Sequence, residues 1–380
     1  MARPLLVSWG MATRDRVRAA AVPAEELAGS FPEIALPIRP PYPPMEARSA
    51  SRLPTGKGWL YEPKWDGFRC LAFRKGRTVT LQSKHGQPLD RYFPELAEAF
   101  RKLPFKAFVL DGEIVIRRGR REKALDFDAL LQRIHPAASR IAKLARETPA
   151  SFQAFDLLID EKGKKVSDLP LSERRERLDR LLGDLPEEGS VVLSPATLDR
   201  KAAEGWLRNP GGELDGVIAK QAGSPYLSGD RSAMVKVKRM RTADCVVGGF
   251  RWAQSGDKVG SLLLGLYDEA GRLDHVGFSS SFTAEERREL EPILVPLIEP
   301  PGFTGKAPGG PSRWSQGRST EWEPLRPALV CEVRYDHVSG GRFRHGTKFL
   351  RWRPDKEPRA CTFDQIRPRP ASPPVDAGRE

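Results

Sequence analysis

Residues 62–69 read Glu-Pro-Lys-Trp-Asp-Gly-Phe-Arg, and this stretch carries more information than any other in the chain. A lysine, an acid, a glycine and an arginine stand at fixed offsets from one another. Lysine is a poor nucleophile while it is protonated, but neighbouring cations and partial burial favour its neutral form. Trp65 and Phe68 offer Lys64 a partly apolar setting. The stretch therefore predicts a nucleophilic lysine beside an arginine, Arg69, whose planar fork can bind phosphate or ribose oxygens.

On its own, this stretch also fits a surface hairpin that carries a solvated lysine. Four further segments of similar character follow it: Leu-Asp-Gly-Glu-Ile-Val at 110–115, Phe-Asp at 155–156, Leu-Asp-Gly-Val-Ile-Ala-Lys at 214–220 and Val-Lys-Val-Lys at 235–238. The alternation in the last segment is typical of a strand and places Lys236 and Lys238 on one face. Each segment taken singly also fits a buried strand end, a core aromatic residue or a solvated strand face. Their combination in one chain favours a catalytic site.

In this order the segments resemble the motifs of the ATP-dependent DNA ligases, a family related to the RNA ligases and the mRNA capping enzymes. The resemblance covers roughly residues 40–365 and is closest to the small bacterial LigC-type ligases and to the ligase module of LigD. It implies ATP as cofactor, with Lys64 attacking the α-phosphate and becoming adenylated. Asp66, Lys236 and Lys238 are the other catalytic residues that the resemblance implies.

The resemblance also implies a nucleotide site. The ring of Phe155 would stack on the base, Glu113 would meet the ribose or a metal-bound water, and the two lysines at 236 and 238 would hold the α-phosphate. The full set of implied ATP-binding residues is Glu62, Arg69, Glu113, Phe155, Lys220, Lys236, Lys238, Arg353 and Lys356.

Residues 345–356 read His-Gly-Thr-Lys-Phe-Leu-Arg-Trp-Arg-Pro-Asp-Lys and resemble the terminal motif of the family. Arg353 and Lys356 would orient the β- and γ-phosphates, and a basic strand that touches DNA is the alternative for this segment. Nucleic-acid contacts are implied for Ser83 and Lys84, in a Ser-Lys-His-Gly segment where the family usually has Ser-Arg-Asn-Gly. Lysine keeps the charge of arginine but loses its bidentate phosphate binding.

Two carboxylates, Glu113 and Asp215, are implied as metal ligands. Oxygen ligands suit magnesium, so we expect Mg2+ at the triphosphate. Most family members have glutamate at the position of Asp215. The shorter side chain here leaves manganese, Mn2+, as the alternative metal.

The chain has 380 residues and a formal net charge of +13. An excess of Lys and Arg favours a polyanionic partner, because phosphate neutralisation drives nucleic-acid affinity. No apolar run reaches the length of a membrane span, and the N-terminus lacks the apolar core of a secretory signal. The four cysteines are scattered without a Cys-x-x-Cys pattern, which favours reduced thiols. We expect a cytoplasmic, nucleoid-associated protein with no membrane contact.

The order of predicted elements indicates an α+β fold in two domains. Residues 39–241 alternate strands and helices, and the resemblance implies a nucleotidyltransferase (adenylation) domain with antiparallel sheets. Residues 242–366 contain five short strands and one helix, which fits an OB-fold β-barrel. Residues 1–38 are expected to be a disordered extension and residues 367–380 a flexible tail. Ser172 is expected to cap the helix that follows it.

The implied function is an ATP-dependent DNA ligase that seals nicks between a 5′-phosphate and a 3′-hydroxyl. The implied partner is nicked double-stranded DNA, with repair polymerases or nucleases as candidate protein partners of a monomeric enzyme. An RNA ligase or a capping-type nucleotidyltransferase is the alternative among enzymes. A non-catalytic nick-binding module is the alternative of another class. Trp65 and the Arg-Trp-Arg-Pro-Asp-Lys segment favour the DNA ligase, and an intact Lys64 disfavours the non-catalytic module.

Overall fold

The computed structural model describes residues 30–117, 125–186, 188–208, 214–253, 258–309 and 321–367. The strands of the first half are β1 (Arg48–Ala50), β2 (Trp59–Trp65), β3 (Phe68–Lys75), β4 (Thr78–Ser83), β5 (Ala107–Val115), β6 (Ser151–Ile159), β7 (Val191–Leu193), β8 (Leu214–Gln221) and β9 (Met234–Lys238). Its helices are α1 (Pro94–Lys102), α2 (Phe127–Gln132), α3 (Ala138–Glu147), α4 (Leu171–Leu182) and α5 (Arg200–Arg208). Among the described helices, none is both long and apolar enough to cross a membrane.

The strands of the first half form two sheets. One is four-stranded with the order β1-β9-β8-β2, and the other is five-stranded with the order β4-β3-β5-β6-β7. Neighbouring strands are antiparallel except for β1 with β9 and β6 with β7, which are parallel. The prediction of an α+β fold with antiparallel sheets is confirmed, apart from these two parallel pairs.

An apolar layer lies between the two sheets. It includes Leu71, Phe73, Val109, Leu158 and Met234, all buried. Helices α1, α3 and α4 cover the outer face of the five-stranded sheet, and α5 covers the four-stranded sheet. Burial of these apolar side chains is the main force that holds the layers together.

The chain enters this layer earlier than the sequence analysis predicted. Ile34, Leu36 and Ile38 are each 3% exposed and pack between the sheets. The disordered extension predicted for residues 1–38 is therefore wrong over residues 30–38. The physical reason is the alternation of apolar residues at every second position, which places three side chains on one face. The rest of the predicted extension, and the predicted tail beyond residue 367, lie outside the described residues.

Helix α4 begins one residue before the predicted cap. Pro170 occupies the N-cap position and Ser172 lies inside the first turn. From this helix the buried Arg174 forms a bidentate ion pair with Asp156 on β6, with distances of 2.8 and 3.0 Å. Proline serves here because its fixed φ leads the chain into the helix, and Arg174 then anchors α4 on the sheet.

The second half of the chain is mainly strands. They are β10 (Arg241–Trp252), β11 (Val259–Tyr267), β12 (Leu273–Ser279), β13 (Glu323–Pro324), β14 (Val330–Tyr335), β15 (Val338–Ser339), β16 (Arg342–Phe343) and β17 (Lys348–Trp352). Helix α6 (Ala284–Leu294) begins at a capping box, in which Thr283 and Glu286 each bind the backbone N–H of the other. Short 3-10 turns follow at Val295–Leu297, Pro358–Ala360 and Phe363–Gln365.

The main sheet of the second half has the order β12-β11-β10-β14-β17, with β13 on β10. The strands do not close into the predicted β-barrel by a continuous ladder. The edge strands β12 and β17 meet at one isolated bridge, between Ser279 and Thr347. Since β12 ends at Ser279 and β17 starts at Lys348, their overlap is too short for a ladder.

We predict opposite effects on stability for two glycine substitutions. A Cβ at Gly216 on β8 would lie 2.1 Å from the carbonyl oxygen of Val237 on β9, so Gly216→Ala should lower the free energy of unfolding by about 1–3 kcal/mol. A Cβ at Gly205 in α5 meets nothing within 4 Å, so Gly205→Ala should raise it by about 1 kcal/mol. Thermal unfolding midpoints test both. A Gly216→Ala protein as stable as the wild type would contradict the close approach of β8 and β9.

Candidate active site

A pocket of about 200 Å³ opens between the two sheets of the first half. Both sheets and the segment before β1 contribute to its walls. Eight of the lining residues are Glu62, Lys64, Arg69, Lys84, Glu113, Phe155, Lys220 and Lys236. Each of the eight was assigned from the sequence to catalysis or to binding of ATP, metal or nucleic acid. The fold therefore brings together residues that are up to 174 positions apart in the sequence, since the set runs from Glu62 to Lys236.

Lys64 lies near the end of β2, and its Nζ atom is 2.6 Å from Oδ2 of Asp215. Asp215 comes from β8, which pairs with β2 and places Gly216 opposite Lys64. The side chain of Asp215 is 7% exposed and that of Lys64 is 22% exposed. The lysine is thus held at the pocket wall by a nearly buried carboxylate, which can also receive a proton from it.

Two further lysines from β9 surround this ion pair with positive charge. Nζ of Lys238 lies 3.7 Å from Oδ2 of Asp215 and 2.6 Å from Oδ2 of Asp336. Burial opposes the charge of Lys238, but these two carboxylates raise its pKa overall. The pKa of Lys236 is lowered, by burial and by the neighbouring charges of Lys64 and Lys238. Such an excess of cations favours an anion in the pocket.

A buried carboxylate with a free oxygen lies deeper in the pocket. Oε2 of Glu62 is 2.8 Å from Nζ of Lys220, which also donates a hydrogen bond to the carbonyl oxygen of Phe155 at 3.3 Å. Oε1 of Glu62 is buried and has no hydrogen-bond partner. Burial raises the pKa of Glu62 in spite of the nearby Lys220. An unpaired buried acceptor is costly, so this oxygen is suited to a donor group of a ligand.

The ring of Phe155 lies against two cations. The guanidinium carbon of Arg69 is 4.5 Å from the ring centroid, and Nζ of Lys220 is 4.6 Å from it. Arg69 does not present a free fork to the pocket, since Asp111 accepts hydrogen bonds from its Nε and Nη2 atoms at 2.6 Å each. Asp111 accepts a third from the hydroxyl of Tyr226 at 2.6 Å. The predicted role of Arg69 in binding phosphate or ribose oxygens thus competes with a buried structural ion pair.

Glu113 follows Asp111 on β5 and lines the pocket. Burial raises the pKa of Glu113 to about 7, although Arg69 and Lys64 act in the opposite direction. Near neutral pH this group is therefore close to half protonated. A cation next to it would favour the charged form.

At the mouth of the pocket, Lys84 and Arg231 share one carboxylate. Oε2 of Glu46 lies 3.4 Å from Nζ of Lys84 and 2.7 Å from Nη2 of Arg231. Ser83 does not line the pocket, and its hydroxyl accepts a hydrogen bond from the backbone N–H of Gln87 at 2.9 Å. Of the two predicted nucleic-acid contacts, Lys84 is thus at the pocket mouth and Ser83 shapes the turn beside it.

The second half of the chain closes one side of the site through the hairpin, which we define as residues 336–345. Asp66 accepts two hydrogen bonds from Arg344, at 2.6 and 2.8 Å, and lies 3.3 Å from Nε2 of His337. Arg344 also stacks on Phe127 of α2, 3.6 Å from the ring centroid. Burial raises the pKa of Asp66 even though His337 and Arg344 stabilise its charge. The contacts join the hairpin firmly to the first half.

The two cations of the terminal motif lie elsewhere. Nη1 of Arg353 is 2.8 Å and Nζ of Lys356 is 3.5 Å from the carboxylate of Asp244, within the second half. Arg353 also pairs with Asp355 at 2.8 Å. Neither Arg353 nor Lys356 lines the pocket. The structure thus does not bring these two predicted ATP-binding residues to the other seven.

Two family models match the chain. The ATP dependent DNA ligase domain matches residues 44–238, and the ATP dependent DNA ligase C terminal region matches residues 255–356. DNA ligase C1 of Mycolicibacterium smegmatis is 47% identical over 339 residues, which cover 87% of this chain and 95% of that protein. The chain belongs to the ATP-dependent DNA ligase family. The resemblance stated from the sequence is therefore confirmed.

Two further proteins extend the comparison of this chain. The multifunctional non-homologous end joining DNA repair protein LigD of Mycobacterium tuberculosis is 31% identical over 307 residues, covering 79% of this chain and 37% of that protein. The solved structure Pmar-Lig_PreS3 is 15% identical and covers 78% of this chain and 64% of that chain, with a TM-score of 0.52. At such low identity the second likeness concerns the fold alone.

Sequence reasoning missed several charged residues of this ligase site. They are Glu46, Asp111, Arg231, Asp336, His337 and Arg344. Asp111 stands inside the Leu-Asp-Gly-Glu segment, in which only Glu113 was assigned a role from the sequence. The last three belong to a stretch dense in charged residues and histidines just before the terminal motif. That density was the available signal, but only tertiary contacts show which of these side chains pair with the residues of the site.

We predict that Glu113 makes the stability of the protein depend on pH. Its folded-state pKa of about 7 exceeds the usual 4.5, so the folded protein keeps a proton that the unfolded chain has lost. The free energy of unfolding should therefore fall as pH rises from about 4.5 to about 7. Glu113→Gln removes this component, so its unfolding midpoint relative to wild type should be higher at pH 8 than at pH 5. The exposed Glu98→Gln serves as control, and parallel pH profiles for wild type and Glu113→Gln would contradict the prediction.

Proposed function

We propose that this protein is an ATP-dependent DNA ligase that seals 5′-phosphate/3′-hydroxyl nicks in duplex DNA through AMP bound covalently to Lys64. The observation that carries the proposal is the Lys64–Asp215 ion pair of 2.6 Å within a pocket of converging lysines. A nucleophile, a proton acceptor and phosphate-binding cations thus share one site. Repair of DNA is the proposed setting, supported by the likeness to LigD. Such a substrate places the enzyme with the nucleoid in the cytoplasm.

The first step of the proposed reaction needs a neutral Lys64. Oδ2 of Asp215 is within hydrogen-bond reach of the ammonium and is placed to accept its proton. The free electron pair of Nζ then forms a bond to the α-phosphorus of ATP, and the bond from that phosphorus to the pyrophosphate oxygen breaks. Lys236 and Lys238 supply positive charge for the oxygens of the α-phosphate, where charge develops.

The later steps use the same groups on DNA. The AMP passes from Lys64 to the 5′-phosphate at the nick, and the 3′-hydroxyl then attacks that phosphate and expels AMP. Lys84 and Arg231 lie at the pocket mouth, where Glu46 now holds both cations. We propose that phosphates of the nicked strand replace this carboxylate. The net charge of +13 supports a DNA substrate in general.

The chemistry of Glu62 supports ATP over GTP. Its buried Oε1 is an acceptor without a donor. The 6-amino group of adenine would supply that donor, whereas guanine presents an oxygen acceptor at the same ring position. Repulsion between two acceptors in a buried pocket disfavours GTP. This argues against the capping-type alternative.

A divalent metal ion fits the site in part. The described residues contain no group of three or more His, Cys, Asp or Glu that could hold a metal by itself. Glu113 and Asp215 offer oxygen ligands, which suit Mg2+ or Mn2+, and the raised pKa of Glu113 would fall beside a cation. We propose these two residues as its protein ligands. When bound, the ion would neutralise charge on the triphosphate.

We predict that Lys64→Ala abolishes covalent labelling by radioactive ATP and all nick sealing that depends on ATP. The variant lacks the only proposed acceptor of AMP, so the loss of labelling should be complete. Lys143→Ala, which removes a lysine that is 66% exposed on α3, is the matched control and should label like the wild type. Incorporation of AMP into the Lys64→Ala protein would show that another residue is the nucleophile.

We predict that the terminal motif, with Arg353 and Lys356, and the hairpin, with Arg344, serve different steps of the reaction. Arg353 and Lys356 can reach the pyrophosphate only if the second half turns, and pyrophosphate leaves in the first step alone. Arg353→Ala and Lys356→Ala should therefore slow self-adenylation at least about tenfold and spare the sealing of a nick that already carries AMP. Arg344→Ala breaks the contact with Asp66. It should spare self-adenylation and slow the sealing of a nick that already carries AMP.

Single-turnover rates on ordinary and pre-adenylated nicks measure both steps. Equal losses on the two substrates for Arg353→Ala would assign this arginine to DNA contact. The closure of the terminal motif over ATP would then be wrong, while the proposed ligase activity would stand.

A further inference from the structure

The hairpin, residues 336–345, is fixed to the sheet of the second half. Its strands pair Val338 with Phe343 and Ser339 with Arg342. Nη2 of Arg342 lies 2.8 Å from Nδ1 of the buried His275 on β12. Arg342, next to the turn of the hairpin, thus ties it to the second half of the chain, and residues at its two ends, Asp336 and Arg344, meet the first half.

The hairpin places a carboxylate on one of the proposed catalytic lysines. Oδ2 of Asp336 is 2.6 Å from Nζ of Lys238, and Nδ1 of His345 is 3.0 Å from the same carboxylate. The side chain of Asp336 is 13% exposed. Burial opposes its charge, but His345 and Lys238 hold the pKa of Asp336 well below its usual range. The residue is therefore a fixed negative charge.

This negative charge stands where a phosphate would be bound. Lys238 lies between Asp215, at 3.7 Å, and Asp336, at 2.6 Å, so carboxylates already balance its ammonium. A triphosphate carries several negative charges and would meet the carboxylate of Asp336 at close range. Like charges in a half-buried site repel strongly.

We propose that Asp336 is a positioning residue that acts as a gate on Lys238, so that the docked hairpin and a bound nucleoside triphosphate exclude each other. The inference rests on the proposed function and adds to it a reason for the order of steps. ATP binds when the hairpin has left Lys238. After pyrophosphate has departed, the adenylated lysine keeps a single phosphate charge, and the hairpin can return for the reaction with DNA.

The first test is single-turnover self-adenylation of Asp336→Asn at varied ATP concentration. Because the docked state withholds Lys238, removal of the charge should lower the apparent KM for ATP about fivefold. The maximal rate should stay within about twofold, and the sealing of a pre-adenylated nick should slow. The control is Glu332→Gln on β14, which removes a carboxylate paired with Arg351 at 2.7 Å. It should leave the KM unchanged, and an unchanged or raised KM for Asp336→Asn overturns the gate.

The second test needs no catalysis. Amide hydrogen exchange of residues 336–345 is followed in the wild type with and without inorganic tripolyphosphate. In the wild type, we expect these amides to exchange faster with tripolyphosphate than without it. In the absence of tripolyphosphate, they should exchange faster in Asp336→Asn than in the wild type. If the KM falls but exchange of the hairpin is the same throughout, the effect is general electrostatics and the gate is wrong. A wild type that takes no AMP would refute the proposed ligase, while the exchange experiment would still decide the gate.

Discussion

Asp215 lies between two lysines, 2.6 Å from Nζ of Lys64 and 3.7 Å from Nζ of Lys238, and the rest of the site is arranged around this one carboxylate. Half-buried lysines repel one another unless an anion separates them. One carboxylate separates two of them here, and Lys236 adds a third cation, whose pKa is lowered by burial and by the neighbouring charges. The pocket thus keeps an excess of positive charge for a phosphate, while the folded protein tolerates the crowding.

The arrangement depends on strand register. Lys64 sits opposite Gly216 and Trp65 opposite Leu214, so Asp215 is the extra residue of a β-bulge, which lets its side chain reach the lysine. The close approach of β9 to Gly216 brings Lys238 to the same carboxylate. A slip by one residue would turn these side chains to the other face of the sheet. The apolar side chains on the two faces of this sheet stabilise the register, although they take no part in the proposed chemistry.

The second half of the chain presents two charged surfaces. The hairpin meets the first half through Arg344 and Asp336, and the terminal motif is turned toward Asp244. Both surfaces belong to one small sheet domain, so they change places only if that domain moves as a body. A reaction that first expels pyrophosphate and then works on DNA can use the two surfaces in turn. The contacts of Asp66 with Arg344 and His337 hold the two halves of the chain in one defined arrangement.

The sequence alone determined the family, the α+β class and eight residues that share the pocket, because nucleotidyl transfer needs particular side chains and the motifs that carry them can be read directly from the sequence. Periodicity also located most strands and helices. It did not predict the burial of Ile34, Leu36 and Ile38, because the prolines that follow favoured an irregular segment. Only the tertiary structure decided which charges meet. Arg69 pairs with Asp111 in the structure, and Lys238 pairs with Asp336. Both outcomes depend on distances between strands that are far apart in sequence. Coulomb energies change steeply over a few ångströms in a buried site, and no local pattern encodes such distances.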